Sequence, residues 1–224
     1  MIKPPSHIVH RVENLRKELR EHDYRYYVLD GLSCGPILAL YHVAGPKMLH
    51  WNVPMSAPES RFVKACKSQP VDRTPVWFMR QAGRYMPEYR AVRKQYSLTE
   101  ICKKPEVAAE VTITAAEALG VDAAIIFADL LLPLEVMGLP FHFSTGEGPV
   151  IEKPVRQKED VARLRTDRAA DLGYVAEAVR RVCKHFGDRL PVIGFCGAPF
   201  TLASYMIEGG GSRNYVHAKK MMYS

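Results

Sequence analysis

The chain has 224 residues, 47% hydrophobic and 25% charged, with 31 Lys and Arg against 24 Asp and Glu for a formal charge of +7. That length holds one ordinary domain, or one with a short appendage, and the composition excludes a wholly disordered chain. No apolar run approaches the ~18 residues of a spanning helix, and the opening stretch lacks the apolar core of a secretory signal, so the expectation is a cytoplasmic protein without a membrane partner. Acids and bases are interleaved almost everywhere, so the net charge only hints at acidic partners and does not indicate nucleic-acid binding.

The first predicted element is a helical leader over residues 1–30. From Ser6, a plausible N-cap, the apolar positions Ile8, Val12, Leu15, Leu19 and Tyr26 trace one stripe of helical period, and Gly31 can end the helix. Residues 31–56 carry Gly35-Pro36, Gly45-Pro46 and Pro54, and read as an irregular junction. The pattern turns regular from Phe62. A short apolar run at residues 76–79 ends at Arg80-Gln81-Ala82-Gly83-Arg84. Ser97 and Glu100 have capping-box spacing. Pro105 suits the first turn of a helix running to about Leu119, with Gly120 as its stop. Residues 123–128 read as a buried strand followed by Asp129, and residues 133–154 as a proline- and glycine-punctuated loop. A helix over 172–186 stops at Gly187, and residues 191–196 read as another buried strand.

Apolar strands alternating with helices predict parallel α/β architecture. Arg80, Arg84 and Asp129 stand just past strand ends, with Tyr205 in the segment after the third strand. That carboxyl edge holds the site in α/β folds, whether the sheet is open or closed into a barrel. From position alone, Asp129 also reads as a carboxylate capping the following turn, Arg80 or Arg84 as a surface partner of Glu88, and Tyr205 as core packing with a wet hydroxyl. Cysteines 34, 66, 102, 183 and 196 form no CxxC pair and read as reduced, inert thiols. Gly146-Glu-Gly148 and Gly209-Gly-Gly211 lack the spacing of a dinucleotide loop.

Three stretches carry a resemblance: PVWFMRQAGRYMPEYR at 75–90, AIIFAD at 124–129 and GFCGAPFTLASYMIEGGG at 194–211. In this order they closely resemble the motifs of the uroporphyrinogen decarboxylase family, over about residues 57–224. The resemblance implies a TIM (β/α)8 barrel, here partial and lacking its later strands, from a family that forms a homodimer when complete. It implies removal of CO2 from four acetate side chains of uroporphyrinogen III, giving coproporphyrinogen III, with no metal and no organic cofactor.

By the same resemblance, Asp129, Arg80 and Tyr205 are the catalytic set. Arg80, Arg84, Gln81, Asp129, Tyr205 and Phe127 are the substrate-binding set. The chemistry fits these residue types. An ionised carboxylate accepts several pyrrole N–H bonds and stabilises a cationic ring, and guanidinium forks pair with the substrate's carboxylates. The family's later half carries further site residues, so negligible turnover and low solubility are expected of this chain, with a noncatalytic tetrapyrrole-binding fragment as the alternative. The leader, LRKELREHDYRYYVLD at 15–30, looks like the first helices of bacterial NAD-dependent DNA ligases. There Tyr26 matches a tyrosine that helps hold nicotinamide mononucleotide. A fused gene fragment or misread start is the preferred reading, and a remnant nicotinamide-nucleotide module the alternative.

Overall fold

Helix punctuation organises the first half of the structure, a computed structural model that describes residues 60–144 and 148–223. The predicted leader with Tyr26, and the junction, lie outside the described residues. Helix α1 (Arg61–Cys66) opens on Ser60, whose hydroxyl accepts the Val63 N–H. Helix α2 (Pro87–Gln95) starts on its proline. Helix α3 (Leu98–Lys103) carries the predicted capping box, in which Ser97 Oγ accepts the Glu100 N–H at 3.2 Å and Glu100 Oε2 accepts the Ser97 N–H at 2.7 Å. Helix α4 (Pro105–Leu119) ends at Gly120 in the left-handed conformation, with φ 61°, where a Cβ would be strained.

Strand β1 (Ala124–Ile125) follows α4, and β4 (Val192–Ile193) follows α7 (Gly173–Phe186). The two pair in parallel, Ala124 opposite Val192 and Ile125 opposite Ile193. Helices α4 and α7 cover them through a cluster that includes Ala108, Ala116, Ile126, Val179, Val182 and Phe186. Burying side chains of this kind is worth about 1.5–3 kcal/mol each for the larger ones. The parallel α/β expectation therefore holds for the described residues. The assigned strands, two residues each, are shorter than the apolar runs, although the Ile126 N–H still donates to Ile193 O at 3.0 Å.

Two expectations need correction. Residues 76–79 form no strand. Among the described residues their hydrogen-bonded tie to the segment entering β1 is at Val76, whose N–H donates to Asp122 Oδ2 and whose carbonyl accepts the Asp122 N–H, both at 2.8 Å. Phe78 and Met79 are exposed, so no apolar layer holds this run in a ladder. Residues 133–154 are not one loop. They contain α5 (Leu132–Val136) and an antiparallel hairpin of β2 (Phe141–Ser144) and β3 (Gly148–Ile151). The alternation that pairs Phe141 with Ile151 and Phe143 with Pro149 is hidden in sequence by its glycines and prolines.

After α6 (Lys158–Ala162) and a 3-10 turn (Ala169–Leu172), the fold finishes with α8 (Pro199–Glu208) and α9 (Val216–Tyr223). The hairpin docks on α8, the Ile151 N–H donating to Gly209 O and the Val155 N–H to Met206 O, both at 2.8 Å. Among the described residues, no helix is long and apolar enough to cross a membrane.

Replacing Ser97 by Ala removes one half of the capping box and leaves the Glu100 N–H without its cap. Stability should fall by about 1 kcal/mol, read as an earlier urea midpoint with an unchanged slope.

Candidate active site

The carboxyl end of β1 is held from both sides. On one edge, the Ala124 and Ile126 N–H groups donate to Pro191 O and Ile193 O at 2.9 and 3.0 Å. On the other, the Ile125 N–H donates to Gln81 Oε1 at 3.1 Å and the Phe127 N–H to Thr112 Oγ1 at 2.8 Å. Gln81 also donates from Nε2 to Ala123 O at 2.7 Å. Both ends of its amide are therefore engaged by the β1 backbone, and the residue is only 2% exposed. Geometrically Gln81 anchors the loop rather than reaching out of it.

That anchor places Arg80 and Arg84 on a loop tied to β1. The loop is closed further by the Tyr85 hydroxyl, which donates to Gln81 O, and by Arg90, whose Nη1 donates to Arg84 O at 2.9 Å. Both Arg80 and Arg84 are exposed. Among the described residues neither guanidinium has an ion pair, so the alternative pairing with Glu88 does not occur.

Asp129 is half-buried at the start of the next turn. Its Oδ1 accepts the Leu131 N–H at 2.8 Å, the turn-capping geometry expected of an aspartate after a strand. No described donor bonds Oδ2. Burial pushes the carboxyl above its ordinary pKa, and the Leu131 N–H only partly offsets this. Beneath it lies buried Cys102, in a cluster with Leu132, Leu172, Phe127 and Ala128. Burial, and then the nearby Asp129 charge, push the Cys102 thiol up to about 12, consistent with an inert thiol.

Tyr205 on α8 packs against the cluster of Leu131, Leu134, Leu139, Ile151 and Val155, which directly follows Asp129. The two strand ends approach closely, since a Cβ on Gly197 would sit 3.4 Å from Leu130 O and 2.5 Å from Leu202 Cδ2. Tyr205 and Asp129 thus belong to adjoining segments, although no hydrogen bond joins them. Phe127 has a different setting from the expected substrate wall. Its ring packs on Tyr89, with centroids 5.6 Å apart, and lies between two apolar clusters under the helices. The Thr112 bond to its N–H sets it where the strand turns toward α4. Sequence reasoning missed Thr112, the buried one of two threonines among the alanines and valines of α4.

A family model described as uroporphyrinogen decarboxylase (URO-D) matches residues 57–224. The chain belongs to this family. It is 81% identical over 170 residues to the uroporphyrinogen decarboxylase of Koribacter versatilis, covering 76% of this chain and 48% of that protein. It is 58% identical over 165 residues to that of Solibacter usitatus, covering 74% and 48%. The chain therefore spans about half the length of these curated relatives. A solved methyltransferase from Methanosarcina mazei matches with a TM-score of 0.50 at 22% identity, over 73% of this chain and 46% of that one. At that identity the likeness speaks for the fold alone.

The raised Asp129 pKa has a definite sign. The fold carries the cost of ionising a buried carboxylate above the ordinary aspartate range, and the cost disappears as pH falls below it. Asp129→Asn, which keeps an acceptor for Leu131, should stabilise the chain at pH 7 and give no gain near pH 3. Asp129→Ala also sheds that cost but loses the turn acceptor, so it should be about 1 kcal/mol less stable than Asp129→Asn at both pH values. Urea unfolding of the three proteins at both pH values checks this.

Proposed function

We propose that the chain supplies part of the active site for the reaction its relatives are named for, the decarboxylation of uroporphyrinogen III to coproporphyrinogen III. The described elements are read as opening strands of a (β/α)8 barrel, whose catalytic edge is the carboxyl end of its strands. The observation that carries the proposal is Asp129: a half-buried carboxylate at that edge with one oxygen committed to Leu131 and the other bonded by no donor among the described residues. Pyrroles offer N–H donors and become cationic when a ring carbon is protonated, so an ionised Asp129 can gather the rings and then stabilise the charge. Protonation turns the substrate itself into the electron sink for the breaking C–C bond.

Arg80 and Arg84, exposed and without an ion pair among the described residues, are assigned to the peripheral carboxylates. Tyr205 is assigned to the reacting acetate as a hydroxyl donor, and Gln81 to holding the arginine loop. Phe127 supports Asp129 from beneath as packing.

A noncatalytic tetrapyrrole-binding role is the second reading. It is favoured by the exposure of Phe78, Met79, Phe195 and Phe200 around the same edge. A site open to water weakens the charge interactions that decarboxylation needs.

Calorimetry of the 224-residue chain with uroporphyrin should give saturable binding. Arg80→Ala and Arg84→Ala should each weaken it roughly tenfold or more, with a larger loss in the double variant. Binding indifferent to these residues and to Asp129→Ala would overturn the site. An anaerobic assay with uroporphyrinogen separates the two readings. Coproporphyrinogen formation abolished by Asp129→Ala supports catalysis, and binding without product supports the noncatalytic role.

A further inference from the structure

The edge of β1 that faces away from β4 is closed by side chains. Backbone donors on such an edge are normally met by another strand. Here the amide of Gln81 and the hydroxyl of Thr112 meet them, at Ile125 and Phe127. Both residues are 2% exposed. Thr112 is fully committed, because its hydroxyl also donates to Ala108 O at 2.7 Å within α4. Gln81 lies between Arg80 and Arg84 in sequence, and Phe127 lies two residues before Asp129. The clamp therefore touches the two chain segments that carry the charged groups.

We propose that Gln81 and Thr112 are positioning residues that clamp the outer edge of β1 and so fix Asp129 and the arginine loop relative to one another. The proposal rests on the assignment of Asp129, Arg80 and Arg84 to an acidic tetrapyrrole. A backbone with both edges bonded cannot slide along its axis without breaking bonds on each side. Gln81 sets the arginine loop against Ala123 and Ile125, while Thr112 ties the same strand to α4.

The test uses the 224-residue chain and three variants: Gln81→Ala, Thr112→Val and Thr112→Ser. Amide exchange of the wild type comes first. The Ile125 and Phe127 N–H groups should be as protected as those of Ala124 and Ile126, and fast exchange at either would overturn the clamp even if the variants fail to fold. Gln81→Ala should speed exchange at Ile125, and Thr112→Val at Phe127, each on the order of tenfold or more. Both should bring the Asp129 carboxyl, followed by carbon NMR, down toward its ordinary titration range, and both should weaken uroporphyrin binding roughly tenfold. Thr112→Ser, which keeps the hydroxyl, should restore the wild-type values.

A merely structural role predicts lower stability with Asp129 titration and ligand affinity unchanged, and that result would sink the proposal. So would Thr112→Ser behaving like Thr112→Val. If the wild type binds no uroporphyrin, the assigned ligand is wrong, and exchange with Asp129 titration still judges the clamp.

Discussion

A strand with a neighbour on one side has half of its amide groups facing nothing, and each buried donor left unmet costs about 1–3 kcal/mol. β1 meets this constraint with side chains on the edge opposite β4, and the positions of the candidate site residues follow from it. Gln81 is long enough to span two backbone groups, accepting from Ile125 and donating to Ala123. This commitment of its amide carries its sequence neighbours Arg80 and Arg84 to the sheet. A second tie works from farther upstream. Arg61 bonds Asp72 and Asp122, and Asp122 in turn holds Val76. Burial opposes ionisation of Asp122, yet the Val76 N–H and Arg61 hold its carboxyl below the ordinary range. The segment leading into the arginine loop is thus pinned at residue 76 and again at residue 81.

The charged groups at this edge live under different physics. Asp129 is surrounded by apolar neighbours and pays for it with a raised pKa. Arg80 and Arg84 are exposed and have no ion pair among the described residues, and a guanidinium in water needs none. A ligand meeting all three would recover the cost at Asp129 by offering N–H donors, and would exchange water for carboxylates at the arginines.

Much of this was legible in sequence because it depends on local chemistry. The capping box of Ser97 and Glu100, Pro105 at a helix start and Gly120 at its end are short-range signals, and the structure carries each of them. The parallel pairing of β1 and β4 follows from apolar runs alternating with helices. What was not legible depends on tertiary partners. The run at 76–79 has strand composition but no ladder, and the hairpin of β2 and β3 has a ladder but weak strand composition. Gln81 was recognisable within a motif, although nothing in the motif distinguishes an amide that binds a ligand from one that binds a backbone. Thr112 gave less still, since a threonine inside a helix ordinarily bonds back to its own carbonyls. Its second bond, to Phe127, exists only because α4 folds over β1.

The contrast between buried carboxylate and hydrated arginines also bears on selectivity. Exposed cations attract any polyanion, and at physiological salt their reach is about 8 Å, so Arg80 and Arg84 alone discriminate poorly among acidic molecules. In the proposed role, an ionised Asp129 would repel simple polyanions and favour a ligand whose centre presents donors while its rim presents carboxylates. A tetrapyrrole with acidic side chains has both features at once. On the proposed assignment, discrimination would depend on the spacing between one half-buried carboxylate and one anchored loop, the spacing that the proposed clamp on β1 would set.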